Sequence, residues 1–328
     1  MGAMKKGVKL LLTVCLFLLC TVFAGCGNAN RAPHTEDGSK PRAAYAVILK
    51  SRSDAFTELL RKGIEEEAVR QGITADIFYA GDAADIHGQL QILKNCVERG
   101  YKAIGIAPLT EDADLSAEIA EANQKGIYMV FFGDTVNAQT MQTSNGIFAA
   151  VTADAERLGM QGANYIVSQL TKGGEVAVLS EGEADVPQKR GAEDAFRVAT
   201  GIRLLSTEST SAESKSVKAY AERLMQTNPA LKAFYCCNDK IAMETVQAVQ
   251  SMGKSEEIMV VGTGGTDAAR KSIENGTLTA TIAVDFAEIG AAALREMCDA
   301  VKSGAAVDST AAPEILYIDA YILEKTKR

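Results

Sequence analysis

The chain has 328 residues, 34 Lys+Arg against 42 Asp+Glu, a formal net charge of −8 and 47% hydrophobic residues. An acidic chain without a basic block lacks the concentrated positive face of a nucleic-acid surface, and at about 100–200 residues per domain the length allows two lobes, each with its own core. Seven irregularly spaced cysteines, two histidines and no Cys-x-x-Cys pair exclude both a dense disulfide framework and an ordinary zinc site.

Lys5, Lys6 and Lys9 precede an uncharged apolar stretch from Leu10 to Phe23, followed by Ala24, Gly25 and Cys26. The stretch is shorter than the ~20 residues needed to span a bilayer, and a basic start, an apolar middle and small residues are the parts of a secretory signal. The arrangement resembles a bacterial lipoprotein signal peptide over residues 1–25, with Cys26 as the lipid-modified first residue of the mature chain. That resemblance implies a protein outside the cytoplasm, attached to the cell membrane only through its lipid. Residues 26–42 are polar, carry Pro33 and Pro41 and show no apolar period, the composition of a flexible tether.

From Ala43 onward short apolar runs alternate with amphipathic ones, the rhythm of β-α-β units and parallel sheets. The pattern predicts strands at 46–49, 75–79, 103–107 and 128–132. Helices over 56–71 and 114–125, and a helical spacing of Ile86, Leu90, Leu93 and Val97, lie between them. A second series begins near Asp154, with helices over 155–170, 187–200, 214–227, 241–252 and 267–275 and strands at 175–179, 203–206, 233–237, 259–261 and 278–283. A last helix over 286–303 and strands near 314–323 follow. Two doubly wound Rossmann-like lobes of the α/β class account for this repetition. Cys236 and Cys237, adjacent at a strand end, are expected to point to opposite faces of the sheet as core residues.

Ligands of such sheets bind beyond the carboxyl ends of the strands. The first strand runs into Lys50-Ser51-Arg52-Ser53-Asp54-Ala55-Phe56-Thr57, where Asp54 and Thr57 can meet hydroxyls and Phe56 the flat face of a ring. For Asp54 a helix cap, and for Phe56 a core position, are the competing readings. Phe131-Phe132-Gly133-Asp134 sets a carboxylate at another strand end. On the second lobe Arg190 opens a helix and Asn238 ends a strand, and a guanidinium fork beside an amide can clamp adjacent hydroxyls of a sugar-like molecule.

Tyr45 to Leu49 with Phe56 and Gly63, then Asn238-Asp239-Lys240-Ile241-Ala242-Met243, Val260-Val261-Gly262 and Gly276-Thr277-Leu278-Thr279-Ala280-Thr281-Ile282, resemble the type I periplasmic binding proteins, in particular their ribose-binding branch. The match runs from about Ala43 to Leu323. The resemblance implies two lobes joined by three crossings near Val151, Val284 and Pro313. An N-terminal lobe would span 43–151 plus 285–313, and a C-terminal lobe 152–284 plus 314–328. It also implies a sugar held between the lobes, delivery to an ABC permease, a monomer and no cofactor.

Matched by position, the family's ligand residues fall on Asp54, Phe56, Thr57, Ala107, Gly133-Asp134, Arg190, Ala212, Asn238, Gly264 and Val284. Phe56, Arg190 and Asn238 keep the family's pattern, whereas Ala107, Ala212, Gly264 and Val284 stand where polar or aromatic side chains are usual. Asp285, beside Val284, is a candidate replacement acceptor. Each sugar hydroxyl buried without a partner costs roughly 1–3 kcal/mol, so these departures favour a ligand bulkier or less hydroxylated than ribose.

Gly253-Lys254-Ser255 lacks the spacing of a phosphate loop, and Gly262 to Gly265 that of a dinucleotide fingerprint. His34 and His87 sit in ordinary polar settings and complete no catalytic triad. Asp112, Asp114 and Glu118 lack the glycine and the alternation of a calcium loop. A ligand-sensing receptor of the same fold that signals to a membrane kinase is the alternative function, and a repressor is excluded because signal and tether occupy the place of its DNA-binding helices.

Overall fold

The computed structural model describes residues 43–53, 56–81, 85–110, 114–134, 136, 141, 144–182, 186–205 and 216–326. The proposed signal peptide, Cys26, His34, the tether, Asp54, Asp112 and Ala212 lie outside the described residues. In chain order the elements are β1 (Tyr45–Leu49), α1 (Thr57–Gln71), β2 (Ala75–Tyr79), α2 (Ile86–Arg99), β3 (Ala103–Ile106), α3 (Ser116–Gln124), β4 (Tyr128–Phe132) and β5 (Ala149–Thr152). They continue as α4 (Ala155–Gln169), β6 (Gly174–Leu179), α5 (Val186–Val198), β7 (Ile202–Leu204), α6 (Val217–Thr227), β8 (Leu231–Cys236), α7 (Asp239–Ser251), β9 (Met259–Gly264), α8 (Asp267–Asn275), β10 (Ala280–Val284), α9 (Phe286–Ser303), β11 (Glu314–Tyr317) and β12 (Ala320–Glu324). Among the described residues no helix is long and apolar enough to cross a membrane.

The strands form two six-stranded sheets, in the orders β11-β5-β4-β3-β1-β2 and β12-β10-β9-β8-β6-β7. Every pairing is parallel except β10 with β12. In each sheet the order reverses direction beside the first strand, at β3-β1-β2 and at β8-β6-β7, the arrangement of a doubly wound fold whose binding crevice opens at that switch point.

Strand alternation divides the core. Tyr45, Val47 and Leu49 pack on the face covered by α1 and α9, while Ala46 and Ile48 pack on the other with Leu93, Val97 and Ile119. In the second sheet Phe234 and Cys236 join one cluster, and Ala233, Tyr235 and Cys237 the other. Cys236 and Cys237 therefore do face opposite ways. Cys96, Cys236, Cys237 and Cys298 are buried and join no disulfide among the described residues, and burial pushes the thiols of Cys96 and Cys236 up to about 12. A thiol held protonated in this way is a poor nucleophile and redox partner.

Each lobe also contains a helix pair whose axes approach closely because glycine stands at the crossing. A Cβ at Gly63 would lie 1.8 Å from the carbonyl oxygen of Ala287, and one at Gly290 2.2 Å from that of Leu60, which locks α1 against α9. The second lobe repeats the device with α4 and α5: a Cβ at Gly159 would lie 1.9 Å from the oxygen of Gln188, and one at Gly191 2.0 Å from that of Glu156.

Two expectations require correction. Strand β5 was not anticipated; its four residues directly precede the crossing into α4, and a run this short carries little periodicity of its own. The third crossing also falls later than Pro313. Glu314 to Tyr317 pair with Ala149 to Thr152 in the first sheet, and the Ile318 amide donates to the Thr152 carbonyl at 2.8 Å, so the chain passes to the second sheet only at Ile318 and Asp319. Arg157 of α4 holds that late crossing through an ion pair with Asp319 at 2.9 Å.

Candidate functional site

The carboxyl ends of β1 and β4 bring two charges together. Lys50 leaves β1 with a side chain only 7% exposed, and its Nζ lies 2.6 Å from Oδ1 of Asp134, which follows β4 and is 35% exposed. Gly133 precedes this aspartate with φ of 112°, a left-handed geometry that suits glycine, and its carbonyl accepts a hydrogen bond from Thr152 at 2.9 Å. The loop after β3 is fixed by Gln89, whose Nε2 donates to the Ala107 carbonyl at 2.9 Å and whose Oε1 accepts from the Leu109 amide at 3.0 Å. An ammonium and a carboxylate held side by side can offer a donor and an acceptor to neighbouring hydroxyls.

Phe56 is the N-cap of α1 and stacks on Phe286, the first residue of α9, with ring centroids 4.0 Å apart and 20° between planes. It also meets the second lobe: a Cβ at Gly264 would lie 3.4 Å from Cζ of Phe56 and 3.1 Å from Oδ2 of Asp239. Gly264 ends β9 with φ of 134°. Thus the amino end of α1 in one lobe abuts the carboxyl end of β9 in the other.

Asn238 caps α7, its Oδ1 accepting from the Ile241 amide at 2.9 Å. That leaves its amide NH2 as the polar group it can turn to a ligand. Asp239 is buried and internally committed, accepting from the Thr281 hydroxyl at 2.7 Å and the Thr266 amide at 2.8 Å. Beneath them Gln188 donates to the Tyr235 hydroxyl at 2.7 Å and to the Cys237 carbonyl at 2.8 Å, while Tyr235 also meets Thr263 at 2.9 Å. This buried network ties the first turn of α5 to β8 and β9, and burial pushes the Tyr235 phenol well above its ordinary range.

Arg190, two residues after Gln188, is exposed and bonds through Nη2 to Oε2 of Glu156 on α4 at 2.6 Å. The hydrogen bond and charge of Glu156 raise the guanidinium's affinity for its proton. Asp134, Phe56, Gly264 and Asn238 all stand at strand carboxyl ends or at the helix turns that follow, as expected. Thr57 lies wholly buried in the first turn of α1. Asp285 is exposed and caps α9, its Oδ1 accepting from the Glu288 amide at 3.0 Å, so one carboxylate oxygen serves the helix rather than a ligand. Lys50, Gln188 and Phe286 were missed. The signal for Lys50 was a cation immediately following an apolar strand, a place where burial demands a partner.

Among the described residues no cluster of three His, Cys, Asp or Glu side chains could hold a metal ion. The D-allose-binding periplasmic protein of Escherichia coli (strain K12) is 37% identical to this chain over 289 residues, covering 86% of this chain and 92% of that protein. The ribose import binding protein of Bacillus subtilis (strain 168) is 28% identical over 309 residues, covering 94% and 96%. Among solved structures, a periplasmic solute-binding protein of an ABC transporter from Actinobacillus succinogenes 130z with bound D-allose superposes with a TM-score of 0.72 at 20% identity, covering 85% of this chain and 96% of that one. A sugar-binding protein of a Bacillus halodurans sugar ABC transporter gives 0.75 at 18% identity, covering 85% and 97%. The two parallel-dominated sheets thus form a fold shared with these solved structures, and since the periplasmic binding protein domain matches residues 45–305, the chain belongs to that family.

Proposed function

We propose that this chain is an extracytoplasmic solute receptor of an ABC importer, binding a sugar or sugar-like molecule between its two lobes without chemical turnover. The observation that carries this reading is the 37% identity to a D-allose-binding periplasmic protein, covering 86% of this chain and 92% of that protein. The geometry supports it, with Lys50 and Asp134 on one lobe, Arg190 and Asn238 on the other, and the Phe56 ring where α1 approaches β9. Asp54 belongs to the same proposed set. Closure follows from contacts that both lobes make with one ligand only when they approach, which shifts the equilibrium toward the closed form.

A lipid on Cys26 would keep the receptor at the membrane, and a tether of about sixteen residues spans on the order of 20 Å as a flexible coil. That distance raises the local concentration of a monomeric receptor at a permease in the same membrane. Native mass spectrometry of the chain, purified without denaturation, is expected to show an added mass in the monosaccharide range that disappears on dialysis against denaturant and refolding. A preparation that neither carries such a mass nor regains one when refolded with pentoses and hexoses would overturn the reading.

A further inference from the structure

Phe56 stands where an aromatic residue is uncommon. Helix N-caps favour Ser, Thr, Asp or Asn, whose side chains accept from a free amide of the first turn, and at the head of α1 Phe56 offers no such bond. Its carbonyl opens the helix by accepting from the Leu60 amide at 3.0 Å. The ring is partly exposed and reaches toward the second lobe, its Cζ 3.4 Å from where a Cβ on Gly264 would lie. The helix forgoes a capping side chain here, and a phenyl ring takes its place where the lobes approach.

Phe286 lies behind that ring. It is 3% exposed and stacks on Phe56 with centroids 4.0 Å apart and 20° between planes, which covers one face of the Phe56 ring. The start of α9 is itself fixed, since Asp285 caps it by accepting from the Glu288 amide at 3.0 Å. The glycine contacts between the two helices, Gly63 against Ala287 and Gly290 against Leu60, hold the backbones that carry the two rings in one relation. Both rings therefore belong to one rigid helix pair of the first lobe.

We infer that Phe286 is a positioning residue for sugar binding: it touches no ligand, and by stacking on Phe56 it fixes the ring that the C–H face of a sugar meets. The inference rests on the sugar-receptor reading and adds to it a buried residue that acts through another. An unsupported phenyl side chain samples several rotamers and gives up that freedom when a ligand binds, whereas a stacked one is ordered beforehand. An aliphatic side chain at 286 fills space but makes no ring-on-ring contact. Its loss is expected to weaken sugar binding about fivefold to tenfold.

Calorimetric titration of the full chain with the aldopentoses and aldohexoses, D-ribose and D-allose among them, tests this on whichever sugar binds most tightly. Phe286→Leu is expected to weaken that sugar about fivefold to tenfold, and Phe286→Tyr, which keeps a ring, to stay within about twofold of the native chain. In a Phe56→Leu background, where no ring is left to position, Phe286→Leu is expected to change affinity by less than about twofold. Thermal melting of the ligand-free variants checks that each is folded, and Phe286→Ile takes the place of the leucine variant if that one is not. Equal losses in the two backgrounds would show Phe286 acting through general stability and would overturn the inference. Unchanged affinity in Phe286→Leu, or a tyrosine variant as weak as the leucine one, would do the same, and all three results leave the receptor reading intact. Absence of binding by every sugar would overturn both.

Discussion

Asp134→Ala is expected to weaken sugar binding by two orders of magnitude or more and to lower the stability of the ligand-free chain. Both effects come from Lys50. Its side chain is only 7% exposed, and the Asp134 carboxylate 2.6 Å away is the counter-charge beside it. Removing that carboxylate leaves a largely buried ammonium short of a partner, a cost of about 1–3 kcal/mol for a hydrogen bond to a charged group. In the proposed site the same substitution also takes away a carboxylate placed to accept from ligand hydroxyls. Asp134→Asn, which keeps the shape and loses the charge, should fall between the two proteins. Thermal melting of the ligand-free variants and calorimetry with sugar separate the two effects. An alanine variant with unchanged affinity would remove Asp134 from the site.

Gly159→Val should strongly destabilise the second lobe. Its side chain would enter at 1.9 Å from the Gln188 carbonyl, a backbone atom within a helix that no rotamer change can move. Separation of α4 from α5 is the only relief, and overpacking of this kind costs about 3 kcal/mol. Because Gln188 anchors α5 to Tyr235 and Cys237, and Arg190 sits on the next part of the same turn, the separation should also degrade sugar binding. Val69→Ala on the exposed face of α1, where the side chain is 81% exposed, is expected to change stability by about 0.5 kcal/mol or less. Urea unfolding measures both, and equal midpoints for the two variants would contradict the close-packing account.

The α/β alternation could be read directly because most strands are compact apolar runs and several helices open on a side-chain cap. Asp154, Ser216, Asn238, Thr266 and Asp285 all cap the helices that follow them. Strand-end placement of Asp134, Asn238 and Gly264, and the place of Arg190 near the start of a helix, followed from the same rhythm. What the local pattern could not disclose were pairings between distant residues. Lys50 and Asp134 are 84 positions apart, and nothing near Lys50 names its partner. Arg190 was readable as a donor, but its attachment to Glu156 depends on the glycine contacts that bring α4 against α5. Residues 314–317 went to the wrong lobe since their neighbour in the sheet, β5, is itself too short to announce.

These particulars support one proposed mechanism, in which the two lobes contribute different polar groups to a single ligand. Thermal melting of the chain against a panel of pentoses, hexoses and deoxyhexoses tests that mechanism most directly. At a hundredfold excess over the dissociation constant a true ligand stabilises the folded state by about 2.7 kcal/mol. The account predicts that at least one member of the panel raises the melting temperature of the native chain, and that Arg190→Ala and Asn238→Ala each abolish the rise. A rise that survives both substitutions, or no rise with any sugar, would contradict it.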